Sequence, residues 1–396
     1  MNKKSFLTAL LLMIVGLQTV LPQEIKTLMT IYKSNGTVTT VDVDDVDSIS
    51  FVQIHQDNNK VKLQLQPFVK DFQGKQSMQT SSRRIGIPSG YTAYNPLEAP
   101  EIGFFITEDS IIEEGNFIKS YDEWSTHVNI RNDRNYQIYG FMPQEGTIGA
   151  TITPNLNYTN GCIMTLSGLR TITSTDVCIA TGVKQACGSF STMENLQQGA
   201  FGFTGNDVEE GNYIYMLFDH LYTSIDLQIC MDEEYDALRT IKLNRVSLKS
   251  KQYSTCKATV TMTANDNGSD PVSSIEWNYN DGNCEETVFD CNIIDHDTPF
   301  ILSTSLQSIG KSFVLPEAAR NSNGLILRTV FDVYDKAGNL IRTNCASENV
   351  FSISGLITKV LQDHNYNIKL KVFPTYLYGL SDPDLDIPTI TIFDIN

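Results

Sequence analysis

Short runs in which apolar and polar residues alternate dominate this chain. The clearest run places every second residue of 221–229 on one mostly apolar face, with polar and aromatic residues between them. The same period of two recurs at 61–65 and at 366–372. This period predicts strands with one face in a core and the other in water, as in antiparallel sheets.

Turn-forming residues separate these runs. The sequence Ser-Asn-Gly-Thr at 34–37 lies between two β-prone runs, and its Asn-Gly pair tolerates positive φ angles, so a hairpin is predicted. The loop at 335–339 similarly joins predicted strands at 330–334 and 340–343. Many short strands with turns between them favour β-sandwiches over a parallel α/β sheet.

Two irregularities are predicted within this pattern. The alternation that begins at Ile241 changes phase at Asn244 and Arg245, which indicates a β-bulge. One short helix is expected over 231–240, because acidic residues at 232–234 stand where a helix dipole favours negative charge. The predicted fold class is therefore all-β.

The length of 396 residues suits two domains and a short extension. The predicted organisation is a signal peptide (1–23), an N-terminal β-hairpin segment (24–55), an N-terminal β-sandwich domain (56–214) and a C-terminal β-sandwich domain (215–396). The last boundary follows a cluster of turn residues at 205–211.

The first residues have the pattern of a secretory signal. Lys3 and Lys4 precede an apolar run at 6–17, which is too short to span a bilayer comfortably. Cys162 is the first cysteine, so no lipidation cysteine lies near this segment. Export from the cytoplasm is therefore expected.

The net charge of −17 argues against a nucleic-acid-binding surface, which needs clustered Lys and Arg. It also disfavours attraction to anionic lipid. Solubility and repulsion between copies are the simplest interpretation.

Eight cysteines in an exported chain permit disulfides. Cys284 and Cys291 could join the strands of a hairpin, although cysteine also serves as a small core residue. No CxxC pair occurs and the five His are scattered, so neither a metal site nor another cofactor is predicted.

No sequence motif selects a catalytic site. The nucleophile elbow, the zinc-protease motif and Gly-rich phosphate loops are all missing from the sequence. His220 beside Asp219 could act as a general base, but a structural role is the simpler interpretation. The acidic stretch at 42–47 resembles a calcium loop only in its charge, since it lacks the central Gly and closing Glu of an EF-hand. Asp295-His296-Asp297 could bind a metal weakly, but a solvated loop is the simpler interpretation. No enzyme activity and no catalytic residue are predicted.

Aromatic residues leave a second function open. With 17 Tyr, 19 Phe and 2 Trp, the chain could present an aromatic surface to a glycan. Core packing is the default for most of them, and Trp124 and Trp277 are both interpreted as core residues.

Arg83 and Arg84 stand together in a polar stretch at 79–86. An exposed dibasic pair in a loop is a natural site for a trypsin-like protease. The alternative is a solvated pair of charges with no further role.

Three stretches resemble the fimbrillin-like pilin family of anaerobic gut and oral Gram-negative bacteria. The first is Trp124 followed by Tyr-Gln-Ile-Tyr-Gly-Phe-Met-Pro at 136–143. The second is Phe-Asp-His-Leu at 218–221 and the helix-strand segment after it, and the third is the terminal strand at 366–371 with the aromatic segment at 374–378.

This resemblance implies two transthyretin-like antiparallel sandwiches and assembly by strand exchange. A protease would remove the first strand, 61–69, by cutting after Arg83 or Arg84. The C-terminal strand of the next subunit would then fill the groove with Ile390 and Ile392, because an unpaired edge and open apolar pockets accept a strand with alternating side chains.

The implied partners are other fimbrial subunits and a glycan or protein of a host or bacterial surface, and the implied location is the cell-surface fimbrium or the outer-membrane exterior. The alternative is a surface or secreted glycan-binding sandwich that does not polymerise. A secreted hydrolase is a third, weaker hypothesis.

Overall fold

The computed structural model describes residues 28–32, 38–42, 60–73, 87–96, 99–108, 111–144, 151–155, 160–186, 189–190, 196–206, 211–292, 299–316, 325–351, 361–375 and 384–395. The chain falls into two compact units, residues 1–56 and 57–396. The predicted signal peptide lies outside the described residues. Within the described ranges, no helix has the length and hydrophobicity that crossing a membrane requires.

The first unit contains a two-stranded antiparallel hairpin. Its strands are β1 (Leu28–Tyr32) and β2 (Val38–Asp42). They pair from Leu28 opposite Asp42 to Tyr32 opposite Val38. The hairpin predicted around the Asn-Gly pair is therefore confirmed, while the turn itself lies outside the described residues.

The second unit holds all the other described strands and one helix. Its first strands are β3 (Lys60–Lys70), β4 (Tyr91–Ala93), β5 (Ile102–Glu108), β6 (Ile111–Ser120), β7 (Glu123–Arg131), β8 (Asn135–Met142), β9 (Thr151–Asn155), β10 (Gly161–Arg170), β11 (Ile172–Thr173), β12 (Cys178–Gln185), β13 (Gly202–Thr204) and β14 (Asn212–His220). The later elements are β15 (Thr223–Met231), helix α1 (Glu233–Leu238), β16 (Thr240–Ser250), β17 (Tyr253–Thr263), β18 (Val272–Asp281), β19 (Cys284–Asp290), β20 (Phe300–Ile301), β21 (Gln307–Val314), β22 (Leu325–Tyr334), β23 (Leu340–Phe351), β24 (Asn365–Thr375) and β25 (Asp384–Ile395). The prediction of an all-β protein is confirmed.

A nine-stranded sheet and a four-stranded sheet enclose the first core. The nine-stranded sheet has the order β12-β14-β3-β7-β6-β5-β8-β13, with β4 beside β3, and β12 also pairs with β8. The four-stranded sheet has the order β18-β17-β10-β9. Buried side chains from both sheets form one cluster, in which Phe104, Tyr139 and Phe218 are among the largest.

Two five-stranded sheets enclose the second core. We call them the C-terminal sheet (β11-β21-β15-β24-β25) and the facing sheet (β19-β16-β22-β23, with β20 beside β16). Ile225, Leu227 and Ile229 of β15 are fully buried here, as the alternation at 221–229 predicts. Both cores take strands from distant parts of the chain, and β17 and β18 complete the sheet over the first core. The predicted boundary between residues 214 and 215 lies within β14, and the division into two transthyretin-like domains stays a prediction.

Among the described strands, two pairs are parallel, although antiparallel sheets were predicted. β3 runs parallel to β14, and β15 runs parallel to β24. A tight hairpin forces antiparallel pairing only between neighbours in sequence, and these partners are far apart along the chain. The alternation of side chains shows which face is buried but not the direction of the neighbouring strand.

Both irregularities predicted from the sequence, the bulge and the short helix, are present in the structure. The register between β16 and β22 shifts between Leu243 and Arg245, which confirms the predicted bulge. Helix α1 has Asp232 as its N-cap, whose carboxylate accepts from the amides of Glu234 and Tyr235. The helix is only six residues long because Arg239 has returned to extended backbone.

The Cys284–Cys291 disulfide is not formed. Both residues are free thiols, and so are Cys162, Cys178 and Cys230. The Cys284 thiol donates to the carbonyl of Ile172, and burial makes it part of the second core. These thiols act as small core residues, which was the alternative interpretation.

Candidate functional site

Strand β3 lies in the interior of the nine-stranded sheet and has hydrogen-bonded neighbours on both sides. It pairs in parallel with β14, from Leu63 opposite Asn212 to Val69 opposite Phe218. On its other side it pairs antiparallel first with β7 and then with the short strand β4. Removal of β3 would therefore expose the hydrogen-bonding edges of β14 and β7 together.

The side chains of β3 complete two clusters of buried residues. Leu63 and Leu65 are buried in the first core, and Phe68 joins a smaller cluster with Tyr215 and Leu217. Each such burial stabilises the fold by about 1.5–3 kcal/mol. A segment that left this position would open apolar pockets beside the two exposed edges.

A polar network holds the end of β3. The Lys70 ammonium forms ion pairs with Asp219 at 2.8 Å and with Asp363 at 2.6 Å. Burial alone would lower the pKa of Lys70, but the Asp219 carboxylate outweighs it and the pKa is raised. The hydroxyl of Tyr91 also donates to Asp219. Lys70 thus remains charged and links β3 to β14 and to the segment before β24.

The backbone after β3 strengthens this link. The amide of Gln73 donates to the carbonyl of Asp363 at 2.8 Å, and the amide of Asn365 donates to the carbonyl of Gln73 at 2.8 Å. Phe72 stacks on the His220 ring with 3.6 Å between ring centroids. The segment after β3 is therefore connected to β14 through His220 and to β24 through Asn365.

Strand β25 lies at the end of the C-terminal sheet, antiparallel to β24. Ile390 is opposite Val372 and buried in the second core, while Ile392 is opposite Leu370 and half-buried against it. The intervening Thr391 is exposed. The two residues predicted for donation therefore fill pockets of their own chain here.

Arg83 and Arg84 lie outside the described residues, as do the acidic residues 295–297. The described chain stops at 73 and resumes at 87, so the predicted cleavage site is in the connection between β3 and β4. Cleavage there would separate β3 covalently from all later strands. Its accessibility stays a prediction.

His220 lies in a cluster with Asp176 and Cys178. Its Nδ1 is 2.6 Å from an Asp176 oxygen and 3.3 Å from the Cys178 sulfur. Its Nε2 is 2.5 Å from the carbonyl oxygen of Lys70, so Nε2 carries a hydrogen and donates it. Burial alone would lower the pKa of His220, but its hydrogen bond to Asp176 outweighs this and the pKa is raised.

This cluster does not have the geometry of a catalytic triad. In a triad the nucleophile and the carboxylate contact opposite nitrogens of the imidazole. Here Cys178 and Asp176 both contact Nδ1, and burial raises the pKa of the Cys178 thiol well above its usual value. The thiol therefore stays protonated, which argues against a nucleophilic role.

Local sequence motifs do not predict this cluster, because His220 is 42 residues away from Cys178 in sequence. Cys178 and His220 are directly opposite each other on the antiparallel strands β12 and β14. Asp176 is two residues before Cys178, on the same side of an extended chain. The only local signal is the Asp-x-Cys pattern, since strand pairing supplies the third residue.

The two tryptophans differ in their burial. Trp124 is fully buried in the first core, as predicted, and Trp277 is half-buried against it. Trp124 also lines a cavity of about 340 Å³ together with Tyr94, Phe190 and Tyr213. Its indole nitrogen is buried and has no hydrogen-bond partner among the described residues.

No protein-family model matches the chain, and no curated protein matches it. Solved structures do show similarity. One is a protein provisionally assigned to cell adhesion from Bacteroides fragilis, with 8% identity, a TM-score of 0.42, and coverage of 84% of this chain and 97% of that one. Another is a fimbrial protein from Bacteroides vulgatus, with 11% identity, a TM-score of 0.35, and coverage of 85% and 99%.

A third is the fimbrial anchor protein Mfa2 from Porphyromonas gingivalis, with 12% identity, a TM-score of 0.25, and coverage of 84% and 96%. The solved structures to which this chain is similar thus include proteins described as fimbrial and as cell adhesion proteins.

Proposed function

We propose that this protein is an exported, non-enzymatic subunit of a surface fimbrium that assembles by strand exchange. The observation that carries the proposal is the position of β3, which lies between β14 and β7 and fills the first core with Leu63 and Leu65. A removable strand in this position leaves two sheet edges and apolar pockets, which is what a donated strand requires.

The C-terminal strand supplies a matching donor. β25 is 12 residues long and β3 is 11, so β25 is long enough to take the position of β3 between β14 and β7. Ile390 and Ile392 have the spacing of Leu63 and Leu65, which puts both apolar side chains on one face. Donation requires β25 to leave β24, and a strand at the end of a sheet can do so by breaking one ladder only.

The order of residues also indicates the direction of the donated strand. Pro388 precedes the two isoleucines by two residues, whereas Pro67 follows the two leucines by two residues. Read backwards, β25 therefore reproduces the pattern of β3, with Ile392 at Leu63 and Pro388 at Pro67. In this direction the donor would be antiparallel to β14 and parallel to β7, the opposite of the pairing that β3 makes.

The test is the mature form of the protein in its native cells. We expect an N-terminus at Arg84 or Ile85, and a ladder of polymers on a denaturing gel that disappears on boiling. The Arg83→Ala/Arg84→Ala double variant is expected to keep β3 and stay monomeric. A mature chain that starts near Gln23 and runs as a single monomer band would contradict the proposal.

The cavity beside Trp124 favours a second candidate function, glycan binding. Tyr94 and Trp124 stack with 6.1 Å between ring centroids, and exposed Asn95, Asp122 and Glu123 lie at the same cavity. Trp124 itself is buried, so the half-buried Tyr94, Phe190 and Tyr213 would present the aromatic faces, which suit a sugar when polar groups lie beside them. The experiment is calorimetry with a panel of oligosaccharides on the wild type and on the Tyr94→Ala variant.

The two functions can be separated because β3 itself lines this cavity, through residues 64–67. A glycan site of this kind would require the uncleaved chain. Binding by the intact protein that Tyr94→Ala abolishes, with no polymer in cells, would favour the glycan-binding module over the fimbrial subunit.

A further inference from the structure

The buried Cys178 and His220 and the partly exposed Asp176 bring three different metal-ligating groups to one point. One ligand atom from each residue lies within 4.8 Å of the others. The Cys178 sulfur is 3.6 Å from an Asp176 oxygen and 3.3 Å from the His220 nitrogen Nδ1. The backbone register fixes this arrangement, because Cys178 and His220 are opposite each other on β12 and β14.

We propose that these three residues bind a divalent transition metal, with Zn²⁺ as the best match. Thiolate, imidazole and carboxylate are all ligands that Zn²⁺ accepts. This inference does not rest on the proposed fimbrial function, but it concerns the uncleaved chain, because Lys70 and Phe72 lie before the proposed cleavage site and orient His220.

The separations between the ligand atoms fit a tetrahedral ion. Bond lengths of about 2.0–2.3 Å put the ligand atoms of a tetrahedral zinc site about 3.4–3.6 Å apart. The contacts of Cys178 to Asp176 and His220 are already near this range. Only the 2.6 Å separation between Asp176 and His220 must widen, and Asp176 can move because its side chain is 23% exposed.

The surroundings of His220 orient it for metal binding. Metal-bound histidines usually donate their other ring N–H to a carbonyl or carboxylate, which fixes the tautomer. Here Nε2 donates to the carbonyl of Lys70, so Nδ1 faces Asp176 and Cys178. Phe72 stacks on the ring and limits its rotation.

An unpaired oxygen is a second, independent indication of a missing ligand. The distances above are those of Asp176 Oδ2, while the other carboxylate oxygen, Oδ1, is buried and has no hydrogen-bond partner among the described residues. A buried carboxylate oxygen without a partner is unfavourable, and a cation would satisfy it. The side chain of Asp176 is 23% exposed, so solvent reaches this side of the cluster and would supply the fourth ligand of the ion.

Charge and protons balance in the binding step. Without metal, the cluster holds an Asp176 carboxylate, a His220 imidazolium and a neutral Cys178 thiol. Binding displaces one proton from Nδ1 and one from Sγ, and both go to solvent. The dication then faces one carboxylate, one thiolate and one neutral imidazole, so the net charge of the cluster is unchanged.

Co²⁺ and, separately, Zn²⁺ are titrated into the purified chain. Mass spectrometry first confirms that the chain still contains Lys70, whose carbonyl orients His220. We expect one equivalent of Co²⁺ to produce a thiolate-to-cobalt charge-transfer band and tetrahedral d–d bands, and Zn²⁺ to bleach both. Zn²⁺ is also expected to raise the thermal unfolding temperature of the wild type.

Matched variants locate the site. Cys178→Ser is expected to lose the charge-transfer band, whereas the buried Cys256→Ser is expected to keep it. Asp176→Asn, at the partly exposed position, is expected to fold and to bind Zn²⁺ at least about 100-fold more weakly, because even outer-shell changes cost 10–100-fold. Wild-type protein that gives no charge-transfer band, or a band that persists in Cys178→Ser, would overturn the proposal.

Discussion

The side chain of Asp332 shows how one carboxylate can hold an irregular strand. It accepts hydrogen bonds from the amide of Asn344 at 2.8 Å and from the hydroxyl of Thr343 at 2.9 Å. Asn344 has a φ of 53°, a left-handed conformation that asparagine tolerates better than most residues. The register between β22 and β23 shifts next to Asp332, so the carboxylate satisfies groups that the ladder leaves free.

We expect Asp332→Asn to destabilise the fold by about 1.5–3 kcal/mol at pH 7, the range for a hydrogen bond to a charged group. Burial alone would raise the pKa of Asp332, but the amide of Asn344 and its other donors lower it. A lowered folded-state pKa adds stability above the unfolded pKa near 3.9, and this is lost as pH falls through the folded value.

Urea unfolding of wild type and Asp332→Asn at pH 7 and at pH 3 measures this difference. The gap between them should shrink at the lower pH. The exposed Asp281→Asn is the control and should change stability by less than about 0.5 kcal/mol. An equal gap at both pH values would show that the charge of Asp332 does not matter.

Residue-level features differ in how far the sequence predicts them. The bulge at Asn244 and Arg245 could be predicted, because a phase change in the alternation is local. The contact between Cys178 and His220 could not be predicted, because these residues are 42 positions apart in sequence and the register of their two strands brings them together. Single-residue chemistry in this protein is therefore predictable only where its partners are near in sequence.

At the scale of elements, β3 and β25 have different roles in the intact chain and in the proposed polymer. Leu65 belongs to the strand that cleavage would remove, whereas Ile390 belongs to the strand that would be donated. Substitutions on these two strands should therefore act on different states of the protein.

Leu65→Ala is expected to destabilise the uncleaved monomer by about 2–5 kcal/mol, because it leaves a cavity in the first core. It should leave the heat resistance of the polymer unchanged, since the polymer no longer contains β3. Ile390→Ala should lower the temperature at which the polymer dissociates. The controls are Gln64→Ala and Thr391→Ala on the same strands, and a polymer weakened by Leu65→Ala would refute the strand assignment.

The direction of the donated strand can be tested by disulfide trapping. In the proposed reverse direction Ile392 lies beside Asn212 of the next subunit, the β14 partner of Leu63. A cysteine pair at 392 and 212 should then cross-link, and a pair at 392 and 214 should not. Peptide mapping of the oxidised polymer distinguishes the two, and cross-linking of the 392–214 pair would show that the donor runs in the direction of β3.

The elements themselves were largely predictable. Alternation located β15 and β24, and the acidic start located α1. The parallel pairing of β3 with β14 was not predictable, because nothing in either strand encodes the direction of a neighbour 149 residues away. The same limit kept the sequence from showing that β17 and β18 complete the sheet over the first core.

At the scale of the whole molecule, the net charge of −17 opposes assembly. The segment up to Arg84 carries more basic than acidic residues, so the proposed cleavage would leave the chain still more acidic. Repulsion between exposed like charges weakens as salt shortens the Debye length from about 30 Å at 0.01 M to about 3 Å at 1 M.

The rate of polymer formation by cleaved subunits is therefore expected to rise with NaCl over this range. Light scattering after protease addition measures it, and precleaved protein at each salt concentration controls for effects on the protease. A rate that falls with salt would indicate that attraction between opposite charges, not repulsion, controls the encounter of subunits.

The parallel pairing of β3 with β14 also has a consequence for the order of folding. Lys70 and Asp219 are 149 residues apart, so at about 5–20 residues per second the ribosome makes β14 roughly 7–30 s after β3. The first strand of the second unit is thus synthesised early, and it gains its parallel neighbour late. Before β14 is synthesised, β3 has no neighbour on that side. After β14 forms, β3 pairs with it only by closing a long loop, which is slow. The pairing of β3 with β14, which completes this part of the nine-stranded sheet, therefore forms late in folding.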